Sequence, residues 1–525
     1  MSDHASTIQT AEEIEHQLMV AAAEADAFHG QKLPPGEWIK KNLFNNTLNT
    51  IITLVFAPLA LYLLYRTVRY VLVTGQWEPV RANLELFMIG TFDREERWRV
   101  VAQLVLMALS GGLVAGLLKA QARDRAAESG EPVTATSWQT YLSSYWSIGL
   151  LVVATLAAFT RTISPALITI GAIALAAVGW LATSRFGKSI QPYGWSLAAL
   201  VGVASFQVLS GTGGYAWFFV TLALYPALSA VVRLVPPGML MGVGGLGALV
   251  GVVNMAIRPG LLAGIFLVLG LYAAYSVYRG DRLDGARLGL VMFAGFVAYY
   301  VLQAIGFEGI DWSAWSGFHI NLIVAGAAII LAFPLGILLA LGRRSTLPAI
   351  RLMSVAYIEF FRGAPLITFL LAGQFFLGFF LNTDEVPSSI TRAIAAITLF
   401  SGAYVAEIIR GGLQAVPSGQ TEAGQALGMS APSIMRLLVL PQALRAVIPA
   451  MVGQFISLFK DTTLLFIIGI TEFLGVRALI HGQANFRSLG IAETMAYVAF
   501  VFWAFAFAMS RESQRLERRL AVGDR

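Results

Sequence analysis

The chain is dominated by a succession of apolar stretches, each long enough to cross a lipid bilayer. A transmembrane helix needs roughly 17 to 25 predominantly apolar residues. Of the 525 residues, 57% are hydrophobic and 13% are charged, and the mean hydropathy is +0.70. Soluble proteins carry charge on about one quarter of their residues. The sequence therefore predicts an all-α, polytopic transmembrane protein.

The apolar stretches form two groups behind a polar N-terminal tail at 1–46. We predict about nine spans within 47–310 and about five within 311–510. The basic segment 511–525 is predicted to be a tail, and 464–474 is short enough to be a re-entrant or packing segment. The predicted spans lie near 47–65, 100–118, 147–159, 166–183, 195–209, 217–234, 239–257, 261–278 and 288–305, and then near 320–341, 366–381, 390–409, 447–458 and 492–509.

Basic residues in the short loops predict the orientation of these spans. If the polar loop 411–440 is cytoplasmic, alternation places Arg343, Arg344 and Arg436 inside, together with the basic C-terminal segment. Counting back through nine spans also places the N-terminal tail inside. The arginine-rich loop at 66–99 does not follow this rule. The sequence therefore predicts cytoplasmic N- and C-termini.

Two classes of function are disfavoured by composition. The chain has no cysteine, and its five histidines show no His-x-x-x-His pair, so we predict no metal site. The net charge of +6 is modest, and the basic residues cluster in short loops. This pattern suits the anionic surface of a lipid bilayer better than nucleic acid.

One polar interruption near the C-terminal end has a distinctive spacing. From Gln420 to Leu427 the residues are small or polar, which predicts a short helix at the membrane surface that a soluble partner can grip. Gly428 can adopt the left-handed turn that ends such a helix. Pro441 suits the first turn of the next helix or a kink. Many surface helices end in glycine, so a structural interpretation of this stretch alone is equally valid.

The spacing of Glu422-Ala423-Gly424, Gly428 and Leu440-Pro441 resembles the EAA loop of ABC-importer permeases. In that loop Glu-Ala-Ala is followed after three residues by Gly and later by Ile-x-Leu-Pro. Here Gly424 replaces the third alanine and Leu438 the isoleucine. The runs 357–366, 402–412 and 417–420, and Lys460-Asp461-Thr462-Thr463-Leu464, resemble permeases for polar amino acids.

The two ends of the chain resemble different parts of such importers. The likeness above covers about 316–509 and implies a type I ABC-importer permease core, preceded by an extended N-terminal multi-span region. The segments 38–44 and 77–84 resemble the M-type permease subunit of general L-amino acid importers. Residues from about 140 to 305 match no such pattern. Glycines at 242–251 in this region predict close helix packing.

The resemblance implies a bacterial inner-membrane importer of polar L-amino acids. Its partners would be a dimer of ABC ATPases, a second homologous permease or a second copy of this chain, a periplasmic amino acid-binding protein and the lipid bilayer. The chain has no Gly-x-x-x-x-Gly-Lys-Ser/Thr loop, since Ala182 stands where the first glycine before Gly187-Lys188-Ser189 should be. We therefore predict no directly bound cofactor, and ATP with magnesium in the partner ATPase.

Two sets of residues are candidates for function. The first would couple the permease to the ATPase. The second is predicted to line the substrate pathway, because ionisable groups within membrane spans usually face a cavity or pair with each other. The coupling candidates are Gln420, Glu422, Ala423, Gly424, Leu427, Gly428, Leu440 and Pro441, and the pathway candidates are Glu359, Arg362, Gln374, Glu407, Lys460, Asp461 and Thr462.

Two alternatives stay open from the sequence. A secondary amino acid transporter would place coupling carboxylates within inverted repeats, and no repeat between the halves is evident. A non-transporting assembly subunit would pair with an active sister permease that holds the substrate. The pathway residues could equally hold the fold together through ion pairs near span ends.

Overall fold

The computed structural model describes residues 34–93, 95–129, 165–211, 216–257, 261–305, 309–311, 314–376 and 387–521. Within these ranges the chain forms helices and no strand, and an isolated bridge joins Gly317 to Glu472. The predicted all-α fold class is confirmed. The described chain divides into one unit that ends at Gln76 and another that begins at Trp77.

The first unit holds a short helix, α1 (Pro35–Leu43), and a membrane-length helix, α2 (Thr47–Arg69). Asn46 begins α2 because its side-chain oxygen accepts the N–H of Asn49 at 2.7 Å. A π-helical turn, Tyr70–Thr74, extends the helix. The apolar side chains of α2 have no buried position within this unit, which suits contact with lipid.

The second unit opens with two short helices and continues with long apolar ones. Its helices overlap the spans predicted between 100 and 305, except that the span predicted at 147–159 lies outside the described residues. The helices are α3 (Glu78–Ala82), α4 (Leu84–Ile89), α5 (Arg97–Ser129), α6 (Pro165–Thr183), α7 (Gln191–Ser210), α8 (Ala216–Val231), α9 (Leu240–Ile257), α10 (Leu261–Arg279) and α11 (Arg282–Ile305).

Glycines bring α9 into backbone contact with α10 and α11. A Cβ atom on Gly247 would lie 2.7 Å from the Cα of Gly289, and one on Gly251 would lie 2.8 Å from the Cα of Leu267. Lipid tails are as apolar as side chains, so helices in a membrane associate mainly through such close packing. The predicted close approach at 242–251 is thus confirmed for these positions, whereas Gly242 and Gly245 face open space.

The second half of this unit builds the predicted permease core. The helix at Ser389–Ala415 packs against those at Gly317–Arg343 and Leu440–Asp461, and an apolar cluster at this contact includes Ile409 and, from the helix Pro348–Arg362, Ile358. The helices are α12 (Gly317–Arg343), α13 (Pro348–Arg362), α14 (Leu366–Phe375), α15 (Ser389–Ala415), α16 (Ser418–Ala426), α17 (Ala431–Ile434), α18 (Leu440–Asp461), α19 (Val476–Gly482) and α20 (Ile491–Ala521).

Eight helices among the described residues are long and apolar enough to cross a membrane. Three shorter apolar helices and one bent pair accompany them, so the total number of spans stays a prediction. The eight are Thr47–Thr74, Arg97–Glu128, Gln191–Ser210, Pro237–Ile257, Gly317–Arg343, Ser389–Ala415, Ala431–Ile468 and Ile491–Arg515.

Two core elements differ from the predicted ranges. Where a span at 366–381 is predicted, α14 covers 366–375, and 377–381 lie outside the described residues. α14 forms with α13 a pair bent by 100°. The bend lies at Gly363-Ala364-Pro365, since a residue before proline is disfavoured in helical conformation. The segment predicted as a tail from 511 continues α20 to Ala521, because no glycine or proline interrupts it before that residue.

Hydrogen bonds join the additional region to the core across the predicted boundary near 310. The backbone N–H of Thr91 donates to Ser316 Oγ at 2.8 Å, and Ile310 N–H donates to the carbonyl oxygen of Leu209 at 2.8 Å. His319 Nε2 and Gln103 Oε1 are 2.6 Å apart in a buried contact. The additional region from Trp77 onward therefore belongs to one compact unit with the core.

A buried carboxyl group anchors the non-helical segment that follows α18. Glu472 is fully buried, and its two oxygens accept the N–H groups of Leu474 and Gly475, each at 2.8 Å. Asn321 of α12 donates to Glu472 Oε2 at 3.2 Å, and its own oxygen accepts the N–H of Phe473 at 3.0 Å. The segment 464–474, predicted to be re-entrant or a packing segment, is thus held against α12 at Glu472 and Phe473.

The glycine contacts predict a position-specific cost of adding side-chain volume. Gly247→Val should lower the apparent Tm of the full chain in detergent, because overpacking costs about 1–3 kcal/mol. Gly245→Val is the matched control on the same helix, where an added Cβ meets nothing within 4 Å. Equal Tm values for the two variants would contradict close packing at Gly247.

Burial of Glu472 predicts a pH dependence of stability. Burial raises the pKa of Glu472 from 4.5 to about 7, although Leu474, Asn321 and Gly475 favour the ionised form. The native state therefore holds its proton over a range where the unfolded chain does not. This contribution to stability is complete below pH 4.5 and is lost as the pH rises through about 7.

Apparent Tm values between pH 5 and pH 8 test this dependence. The wild-type protein should lose several degrees more over this range than Glu472→Gln, whose side chain does not titrate. Glu422→Gln removes an exposed carboxyl group and should keep the wild-type profile. A profile that is unchanged in Glu472→Gln would show that another group causes the dependence.

Candidate functional site

The polar interruption at 411–440 folds as a short helix between two membrane-length helices. Helix α16 (Ser418–Ala426) follows Pro417 and ends at Leu427. Gly428 has a φ of 73°, so the predicted left-handed turn at this glycine is confirmed. Pro441 lies in the first turn of α18, as its missing N–H group requires.

One face of α16 packs on the chain that follows it. Gly424 is buried, and a Cβ there would lie 2.8 Å from Ile434 Cγ1 and 3.2 Å from Leu438 Cδ1. Gln442 of α18 donates to the side-chain oxygen of Gln420 at 3.2 Å. Glycine in place of alanine at 424 therefore permits a close contact between α16 and the helical segment leading into α18.

Most side chains of α16 are exposed. The side chains of Gln420, Glu422 and Ala423 are exposed, and Leu427 is exposed to 80% of its surface. A cavity of about 590 Å³ lies along one flank of the helix and has Thr421, Glu422 and Gln425 in its lining. An exposed carboxylate beside an exposed apolar side chain is a suitable surface for a soluble protein.

Three of the predicted pathway residues meet in one ion network. Glu407 of α15 accepts Arg343 Nη1 at 2.5 Å and Arg410 Nη2 at 2.9 Å, and Arg362 Nη1 lies 3.6 Å from it. Arg343 also lies 3.5 Å from Glu359. Glu359, Arg362 and Glu407 thus join the ends of α12, α13 and α15.

The other predicted pathway residues lie elsewhere. Lys460 is exposed and Asp461 is half-buried at the end of α18, whereas Thr462 is fully buried. The Thr462 hydroxyl donates to the carbonyl oxygen of Phe459 at 2.6 Å and accepts from Asn321 at 3.0 Å. Gln374 of α14 donates to Ser389 Oγ of α15 at 3.2 Å.

The arrangement shows what each of these side chains contacts. Glu407 neutralises arginines, Thr462 belongs to the buried network around Asn321, and Gln374 ties α14 to α15. Sequence reasoning missed Glu472, which is the buried acid of that network. The available signal was an acidic residue two positions after the apolar stretch 464–470.

Comparisons with known proteins agree with this geometry. Residues 332–522 match the family described as "Binding-protein-dependent transport system inner membrane component". This range contains α16 and the Glu407 network.

Three curated relatives are permease proteins of amino acid transport. The chain is 41% identical over 268 residues to the inner membrane amino-acid ABC transporter permease protein YhdY of Escherichia coli, covering 51% of this chain and 72% of that one. It is 40% identical over 271 residues to the glutamate/glutamine/aspartate/asparagine transport system permease protein BztC of Rhodobacter capsulatus. That match covers 50% of this chain and 62% of BztC. It is 34% identical over 206 residues to the probable glutamine ABC transporter permease protein GlnP of Bacillus subtilis. That match covers 39% of this chain and 92% of GlnP.

The matched family, the membrane-length helices and the extent of the shared sequence lead to one conclusion. The predicted resemblance to permeases for polar amino acids is confirmed. ATP-dependent importers of this kind contain the permease and the ATPase as separate subunits, so the chain is not itself an enzyme. It belongs to the family of binding-protein-dependent inner membrane transport components, as a permease component of an amino-acid ABC transporter.

Proposed function

We propose that this permease imports polar L-amino acids across the bacterial inner membrane and is driven by trans-acting ATPases that grip α16. The observation that carries the proposal is the exposed Glu422 on a short helix whose opposite face is packed against the chain leading into α18. Such a helix presents a charged contact outward and transmits displacement inward. ATP with magnesium would be bound by the ATPase dimer.

The contacts of α16 provide a route for this motion. Displacement of α16 presses Gly424 on Ile434 and Leu438, and the Gln420–Gln442 hydrogen bond connects it to α18. The segment between them contains the π-helical turn Met435–Val439, a distortion that often marks functional sites in helices. Closure of the ATPase pair would thus reach α18, the helix that ends at Asp461.

The remaining partners follow from the same proposal. The chain would pair with a second homologous permease or a second copy of itself, and would receive amino acids from a periplasmic binding protein. Cytoplasmic N- and C-termini are consistent with the basic residues on the α16 side of the core. Family membership favours this ATP-driven import over secondary transport.

One observation favours a second candidate, a non-transporting assembly subunit. Glu359, Arg362 and Glu407 are engaged with one another or with neighbouring arginines, and Thr462 is fully buried. An amino acid would have to displace these contacts to use the same groups. In that case a sister permease would hold the substrate, and charge changes in this chain would alter the rate of uptake without altering which amino acid is preferred.

Charge reversal at Glu422 tests the coupling. In vesicles that hold the complete complex, Glu422→Lys should reduce ATP-dependent uptake of labelled glutamate, glutamine, arginine and alanine at least about tenfold. Like charges placed together at an interface cost several kcal/mol, and about 1.4 kcal/mol corresponds to tenfold. Glu37→Lys reverses an exposed charge on α1 and should leave uptake unchanged. Unchanged uptake in Glu422→Lys, or uptake driven by a proton gradient without ATP, would reject the proposal.

A second pair of variants tests the placement of α16. Gly424→Leu should uncouple ATP hydrolysis from uptake, because the added side chain pushes α16 away from Ile434 and Leu438. Gly419→Leu adds the same side chain on the same helix, where a Cβ meets nothing within 4 Å. Uptake per ATP hydrolysed should fall in the first variant and stay near wild type in the second. The reverse order would show that the exposed face, and not the packed one, sets the coupling.

A further inference from the structure

A surface cavity of about 470 Å³ lies beside the ends of α12, α13 and α15. Four of its six lining side chains are arginines, and none of the six is acidic. The lining residues are Arg343, Arg344, Arg351, Val355, Arg410 and Gln414.

Three of these arginines are held in place by contacts behind the cavity. Arg343 and Arg410 donate to Glu407, at 2.5 and 2.9 Å, and Arg410 Nη1 also donates to Gln414 Oε1 at 3.0 Å. Arg344 Nη1 donates to the carbonyl oxygen of Leu413 at 3.2 Å. Side chains that are already ordered lose less freedom when a ligand binds.

The local charge is not balanced. The network and the cavity together contain five arginines and two glutamates, Glu359 and Glu407, which leaves an excess of three positive charges. Among the described residues no ion-pair partner is found for Arg344 or Arg351. The guanidinium groups of the cavity therefore attract an anion, and their planar geometry suits the oxygens of a phosphate group.

Exposed apolar side chains lie close in sequence to Arg351 of this cavity. Leu347 is 59% exposed, Leu352 is 70% exposed and Met353 is 73% exposed, and these residues flank Arg351 along the chain. Arg343 ends a helix long enough to cross a membrane, so the cavity lies at the depth where lipid headgroups meet the protein. Helix α13 thus contributes Arg351 to a cationic cavity and also carries exposed apolar side chains, a combination that suits the two chemically different parts of a phospholipid.

We propose that this cavity binds a phosphate group, supplied by the headgroup of an acidic phospholipid whose acyl chains lie against Leu352 and Met353. The cavity shares Arg344 and Gln414 with the one along α16 that Glu422 lines. A phosphate held here therefore lies next to the helix proposed to receive the ATPase.

Lipid binding to the purified full chain in detergent tests the proposal. Fluorescent phosphatidylglycerol should bind more tightly than fluorescent phosphatidylcholine, and Arg344→Gln and Arg351→Gln should each weaken phosphatidylglycerol binding about fivefold, the effect of one arginine near an anionic surface. Both arginines lie outside the ion pairs of Glu407, so these variants keep the network that joins the helices. Arg436→Gln removes another exposed arginine outside the cavity and should leave binding unchanged.

Inorganic phosphate distinguishes the two sources of the anion. If inorganic phosphate is the ligand instead of a lipid headgroup, it binds the wild-type chain, and the same two variants weaken its binding. If, in addition, phosphatidylglycerol binds no more tightly than phosphatidylcholine, the ligand is a free anion and the lipid assignment is wrong. If neither probe responds to Arg344→Gln or Arg351→Gln, the cavity is not an anion site. The assay measures binding and not transport, so its outcome is independent of the coupling role of α16.

Discussion

The absence of water from the bilayer interior constrains this structure more than any other condition. Each unsatisfied backbone N–H or C=O group costs several kcal/mol in hydrocarbon, so non-helical backbone is tolerated only where protein covers it. Between two membrane-length helices, the chain covers its own non-helical backbone in this way at 469–475. Gly317 N–H donates to the carbonyl oxygen of Thr471 at 2.9 Å, and Glu472 accepts the N–H groups of Leu474 and Gly475. A side chain that costs free energy to bury thus supplies the acceptors that the missing helix turns would have supplied.

The same condition determines how the helices pack. Since burial from lipid provides little driving force, helices associate where their surfaces fit closely, and glycine allows the closest fit. Gly247 and Gly289 bring α9 and α11 together in the additional region, and Gly424 brings α16 onto Ile434 in the core. The first contact stabilises a scaffold. The second makes the position of a surface helix depend on the helix behind it, which is the property that coupling requires.

Local rules predicted some parts of the candidate site and missed others. The turn at Gly428 and the helix start at Pro441 depend on the backbone preferences of one residue, so the sequence was sufficient for both. The burial of Thr462 depends on Asn321, which lies 141 positions away in the sequence. The same distant side chain donates a hydrogen bond to Glu472. Contacts between residues far apart in the sequence determine which of these side chains are buried. The residue pattern of a single segment does not contain that information.

The Glu407 network shows why an ionisable residue in a membrane span need not be a transport site. Glu407 retains only 16% side-chain exposure and contacts three arginines from three helices. A substrate carboxylate that replaced it would leave a partly buried acid without its partners, and removing one partner of such a pair costs several kcal/mol. Two of them, Arg343 and Arg410, both contact Glu407 and line the cavity. Their position at the helix ends gives them access to a phosphate group that does not compete with the carboxylate, so the network can hold the helices together while a ligand comes and goes.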